Sequence, residues 1–171
     1  MTSTIKAGMG SYHVTHGFVL NNQLTDFAAT ASTADGLVAN RVQAGKRPRS
    51  SMAPTLVFAL NPDGSTGALQ MVTGSPGGGA IIQYVTKTLV GALDWGLNAQ
   101  QASAMVNFGA SKSGPDDPLV QGLKQLGHTV SMNAQPSGIA SILRTQEGTQ
   151  TFWQGGTDPR REGLALGDGC P

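Results

Sequence analysis

The sequence predicts a layered α/β or α+β fold with a largely antiparallel sheet. Three observations carry that expectation. Apolar and β-branched runs come in pairs, parted by turn residues, near the start, middle and end of the 171-residue chain. Between the middle and last pairs, apolar residues recur at helical spacing. Glycine fills 24 positions, roughly twice its usual share of about 7%, while charged residues make up only 12%. That composition suits a chain of turns and close backbone contacts.

In order along the chain, residues 2–5 and 12–20 read as two short strands around the loop Ala7-Gly8-Met9-Gly10. Residues 21–27 are a run of side-chain amides closed by Asp26 and Phe27. Residues 28–50 are polar, small and irregular, and end in the basic cluster Lys46-Arg47-Pro48-Arg49; loops longer than about 12–15 residues are often functional. Residues 52–60 read as a buried strand, Asn61-Pro62-Asp63-Gly64 as a turn, and 68–73 as the hairpin partner. The glycine run 74–79 leads into Ile81, Ile82, Val85, Leu89 and Leu93, an apolar stripe of helical period. Asn98 is placed to cap a second helix to about residue 105. Residues 119–126 predict a third, ended by Gly127. Strands are expected at 139–145 and 151–153, before Asp158-Pro159-Arg160-Arg161. The chain shows no internal repeat, and its length suits one domain over 1–171, or one subunit of something larger.

Several function classes lose support at once. A formal net charge of +1 gives no electrostatic case for nucleic acid or an anionic membrane. No apolar stretch approaches the ~20 residues that span a bilayer. The single cysteine, Cys170, cannot close an internal disulfide. The start Met1-Thr2-Ser3-Thr4-Ile5 lacks the basic and apolar regions of a signal peptide, so either export is absent or the chain begins inside a longer parent.

Three segments can carry chemistry. Gly74-Ser75-Pro76-Gly77-Gly78-Gly79 before a helix aims backbone N–H groups at one point, where the helix adds about half a positive charge. The result is a plain turn or a site for an anion or oxyanion. It is not a Walker loop, because no Lys-Ser or Lys-Thr pair follows. Ser50-Ser51 after an Arg could hold a carboxylate, or simply make local bonds to backbone. Gln23 and Asp26 could accept from an ammonium group, or cap a turn. Two further patterns are chance matches. Ser3-Thr4-Ile5-Lys6 fits a penicillin-enzyme motif that belongs at a helix start, whereas this segment is β-branched. His13 and His16, three apart on an expected strand, would face opposite ways, so neither a metal site nor a cofactor is expected.

Taken together, five segments in register resemble the small subunit of γ-glutamyltransferase, also called γ-glutamyl transpeptidase or glutathione hydrolase. They are Thr2-Ser3-Thr4-Ile5, residues 17–27, Lys46-Arg47-Pro48-Arg49-Ser50-Ser51-Met52-Ala53-Pro54-Thr55, residues 72–78 and Asp158-Pro159-Arg160-Arg161-Glu162-Gly163. The resemblance implies an α+β N-terminal-nucleophile hydrolase, an αββα four-layer sandwich of which this chain is the small-subunit portion. It implies a precursor that cleaves itself, with the large subunit as partner. A new N-terminal threonine then attacks a γ-glutamyl amide, with its own α-amine as base, and the acyl group passes to water or an acceptor amine. Periplasmic or secreted localisation is also implied.

Position by position, the resemblance gives Thr4 the role of the second threonine, whose hydroxyl bonds the nucleophile. It gives Gln23 and Asp26 the substrate's α-ammonium, Ser50 and Ser51 its α-carboxylate, and Gly77 and Gly78 the oxyanion hole. Two departures stand out. The nucleophile of the family lies upstream of the Thr-Ser-Thr motif at which this chain begins, so the chain alone is expected to be inactive: a fragment, or a partner-binding subunit that keeps the pocket. Lys6 stands where the family has an amide or acid. A lysine at 4 Å from a bound ammonium costs about 1 kcal/mol in water and more in a buried site, so a Lys6 that faces the pocket would alter acyl specificity.

Overall fold

The short apolar runs before Met52 and the long ones after it build two units, Met1–Met52 and Ala53–Pro171. The computed structural model describes residues 4–5, 12–107, 118–130 and 134–167. Lys6 and Cys170, and Thr2 and Ser3, lie outside the described residues.

In the first unit the expected strand over 12–20 is a hairpin instead, β1 (Val14–Thr15) against β2 (Phe18–Val19), with Val14 opposite Val19. The cause is local. His16 and Gly17 sit at φ 47° and 85°, the left-handed values that a two-residue type I′ turn demands and a strand cannot contain. His16 therefore stands in a turn, where its Nδ1 pairs with the Thr15 hydroxyl at 3.0 Å. Thr4 and Ile5, the described part of the other expected strand, are not in one. The amide run forms a short 3₁₀ helix, Gln23–Asp26. The long loop holds a second small hairpin, β3 (Ser32–Thr33) with β4 (Gly36–Leu37).

The second unit is an α+β layer. Four antiparallel strands lie in sequence order: β5 (Thr55–Leu60), β6 (Thr66–Gly74), β7 (Ala140–Glu147) and β8 (Gln150–Thr157). The helices α1 (Ile81–Leu93), α2 (Ala99–Ala104) and α3 (Pro118–Gln125) interrupt the order between β6 and β7. Because strand side chains alternate, the register gives each face its own row. Val57, Met71 and Leu143 pair across the first three strands and pack with Leu89, Ala92, Leu97 and Ala102 of the α1–α2 region. Fully burying a residue such as Met71 contributes about 1.5–3 kcal/mol. The other row, Leu56 with Val72 and Ile142, lies on the opposite face. There Leu56, Phe58, Ile142 and Trp153 are each at least 46% exposed.

Helix α2 is capped as the sequence predicts. The Asn98 side chain accepts from the Gln101 amide at 2.8 Å, and the Gln101 side chain accepts from the Asn98 amide at 3.0 Å, a complete capping box. Its start presses on β8 at Gly156, where a Cβ would lie 2.2 Å from the Ala99 carbonyl oxygen. The Gln100 side chain both donates to the Thr157 carbonyl, at 2.9 Å, and accepts from the Thr157 amide, at 3.1 Å.

Candidate active site

The first unit joins Thr4 to Asp26. The Thr4 hydroxyl donates to Asp26 Oδ2 at 3.0 Å, and the Thr4 carbonyl accepts from the Asn22 amide at 2.9 Å. Asp26 ends the 3₁₀ helix, whose start is set by side chains: Asn21 Oδ1 accepts from the Gln23 amide at 3.1 Å, and Asn22 Nδ2 donates to the Thr25 hydroxyl at 2.9 Å. Short polar side chains that satisfy nearby backbone groups are what make such a turn in so polar a run. Asp26 and Gln23 are both half-buried, so a charge near them keeps part of its Coulomb attraction from solvent screening.

Ser50 makes the local bond that its sequence also allowed, since its Oγ accepts from the Met52 amide at 3.2 Å. Just before it, the Arg49 amide donates to Asn40 Oδ1 at 2.9 Å, while Asn40 Nδ2 donates to the Asp26 carbonyl at 2.7 Å. Asn40 thus ties two of the candidate segments together. Nothing in its neighbourhood Ala39-Asn40-Arg41 marks it beforehand, because the bonds span 14 and 9 residues.

In the second unit, β6 runs into the glycine turn and then α1. Gly77 has φ 142°, and a Cβ there would sit 2.4 Å from Tyr84 Cε2. Only glycine fits beneath that ring. Gly78, at φ 58°, has nothing within 4 Å of a Cβ position, so its outer side is open. The Gly78 and Gly79 amides have no protein acceptor among the described residues. These are the groups an incoming oxyanion would need.

A buried polar hub stands behind this turn. Asp158 accepts from the Ser137 hydroxyl in a short bond, from the Ile139 amide at 3.3 Å, and from the Arg160 amide and guanidinium, both at 2.9 Å. Burial alone would raise its pKa, but the Ser137 hydroxyl and the Arg160 donors outweigh that and hold it below the usual carboxylate value. From the hub, the Gly138 amide reaches Ser75 Oγ at 3.0 Å, and Arg161 donates to the Pro136 carbonyl at 3.1 Å. The segment entering the glycine turn is therefore tied to the strand start at 138–140. Burial also raises the Tyr84 phenol. It pushes Lys87, 2% exposed, down to about 8, with the Arg160 charge helping and Asp158 opposing.

Of the sequence-predicted site residues, the structure hydrogen-bonds Thr4 to Asp26, links Asp26 to the residue before Ser50 through Asn40, and sets Gly77 and Gly78 side by side. It shows no bond between the Gln23 side chain and the others among the described residues. No cluster of three His, Cys, Asp or Glu occurs among the described residues. No described helix is long and apolar enough to cross a membrane.

A family model described as Gamma-glutamyltranspeptidase matches residues 1–168. The glutathione hydrolase proenzyme of Bacillus subtilis (strain 168) is 31% identical over 176 residues, covering 97% of this chain and 28% of its own length. That of Escherichia coli (strain K12) is 44% identical over 97 residues, or 54% of this chain and 16% of its own. The chain thus spans less than a third of these curated relatives. Among solved structures, the T380A mutant of Helicobacter pylori gamma-glutamyltranspeptidase superposes with a TM-score of 0.72 at 29% identity, covering 94% of this chain and 92% of that one.

Proposed function

Because the chain belongs to the γ-glutamyltranspeptidase family, we propose that it is the small-subunit portion of an enzyme that moves γ-glutamyl groups from glutathione and related amides to water or an acceptor amine. The relatives are proenzymes by name, and in this reading a larger subunit of the same precursor is the partner. Its second sheet would pack on the apolar row of Leu56, Phe58, Ile142 and Trp153 to complete an αββα sandwich. Leaving such a row to water is unfavourable by about 25 cal/mol per Å². Periplasmic or secreted placement, with an export signal on the precursor, belongs to the same proposal.

The chemistry is acyl transfer. A threonine upstream of Thr2, freed as an N-terminus by cleavage, attacks the γ-carbonyl. Its proton passes through its own α-amine to the leaving amine, and the C–N bond breaks to give an acyl ester. Thr4 positions that hydroxyl; the Gly77–Gly78 turn offers amides to the oxyanion. Asp26 and Gln23 hold the α-ammonium of the donor, and Ser50 and Ser51 its α-carboxylate. Water or an amine then attacks the ester and regenerates the threonine.

The bond from Thr4 to Asp26 carries this reading, because it connects the residue assigned beside the nucleophile to the residue assigned to the donor's ammonium. The test is chromophore release from a γ-glutamyl anilide by the chain assembled with its large subunit. Asp26→Asn is expected to raise KM by about 10-fold or more, the scale of one charge-assisted contact. Absence of turnover in the assembled wild type would support a non-catalytic binding subunit instead.

A further inference from the structure

We infer that Asn40 is a positioning residue that sets the spacing between Asp26 and the Ser50-Ser51 pair. The inference rests on the proposed roles of those residues as holders of the donor's two charged groups. An α-amino acid carries its ammonium and carboxylate on one carbon, so the groups that bind them must be held at one fixed separation. In this chain their carriers are joined by long, mostly exposed stretches whose only strands are the two-residue pair β3 and β4. Such stretches do not fix a distance by themselves.

Asn40 does. Its Nδ2 donates to the Asp26 carbonyl at 2.7 Å, its Oδ1 accepts from the Arg49 amide at 2.9 Å, and its own carbonyl accepts from the Ala28 amide at 2.9 Å. Both ends of one planar amide are used, and only one flip of that amide satisfies both partners. The first bond fixes the backbone that presents the Asp26 carboxylate; the second fixes the peptide that leads into Ser50. The neighbouring cations do something else. Arg41 Nη1 donates to the Val38 carbonyl at 3.2 Å, and Lys46 Nζ to the Ala39 carbonyl, so both tie the loop to itself. The bond from Thr4 aims the Asp26 carboxylate but reaches nothing near Ser50.

The experiment uses the enzyme assembled with its large subunit and a γ-glutamyl anilide. Asn40→Ala is expected to raise donor KM about 10-fold, the scale of one lost hydrogen bond at a binding step, with kcat within about twofold. Asn40→Asp keeps the acceptor for Arg49 and loses the donor to Asp26, so it should raise KM as well. If Asn40 works by placing the serine pair, the KM penalty of Ser50→Ala should shrink when it is combined with Asn40→Ala. A fall in kcat at unchanged KM, penalties that multiply independently, or failure of both Asn40 variants to mature would overturn the inference. Should Asp26→Asn and Ser50→Ala raise KM while Asn40→Ala does not, Asn40 alone is misassigned. Should neither of those two raise KM, the reading of the whole donor site fails.

Discussion

Lys87 and Arg160 donate to the same carbonyl, that of Met105, at 2.5 Å and 2.8 Å. Two cations converge on the end of α2, and Lys87 also reaches the Ser103 carbonyl at 3.4 Å. Burial and the Arg160 charge bring the Lys87 pKa from 10.5 to about 8. Below pH 8 the lysine is charged in both folded and unfolded chains, and the cost of holding that charge inside is fully present. Between about 8 and 10.5 the unfolded chain binds more protons, so this group makes stability rise with pH. The gain in Tm from pH 8 to pH 10 should be about 4 °C larger in the assembled wild type than in Lys87→Met, measured by calorimetry at both pH values. Equal gains would mean that Lys87 is solvated.

The two glycines of the turn should respond differently to one methyl group. Gly77→Ala drives a Cβ into the Tyr84 ring at φ 142°. It should abolish activity together with correct maturation. Gly78→Ala meets no atom within 4 Å and costs only about 1–2 kcal/mol for its left-handed backbone. The protein should fold and, because alanine keeps the backbone N–H, Gly78→Ala should retain turnover within about 10-fold of wild type, measured by anilide release. Loss of maturation as complete as in Gly77→Ala would mean that the open side of Gly78 is filled in the assembled enzyme.

Charges placed on the apolar row test the partner. Phe58→Glu with Ile142→Glu should leave the helix-covered core of Met71 and Ala102 intact, improve the solubility of the isolated chain, and prevent co-purification with the large subunit. Co-purification at the wild-type yield would show that the partner docks on another face.

Much of this was legible in the sequence because it rests on local rules. The stripe Ile81, Val85, Leu89 gave α1, Asn98 gave the cap of α2, and Asn61-Pro62-Asp63-Gly64 gave the β5–β6 turn. The start of the chain misled, because apolar and β-branched residues on both sides of His16-Gly17 hid a turn there that depends on two positive φ values. In the candidate site, residue types pointed to Gln23, Asp26, Ser50, Ser51 and the glycines, and the family resemblance added Thr4. Asn40 and the Asp158–Ser137 hub stayed invisible, because bonds across 14 and 21 residues leave no periodic trace.

The grip of Gln100 on Thr157 has a consequence for growth of the sheet. By meeting both the amide and the carbonyl of Thr157, its side chain occupies the positions that another strand would use at that end of β8, and α2 crowds the neighbouring Gly156. A passing extended chain finds that end of the border closed. β5, last in the order at the opposite border, has no such plug among the described residues, so a strand added to this sheet, by its own precursor or by a stray neighbour, meets less obstruction alongside Thr55–Leu60 than at the Thr157 end of β8.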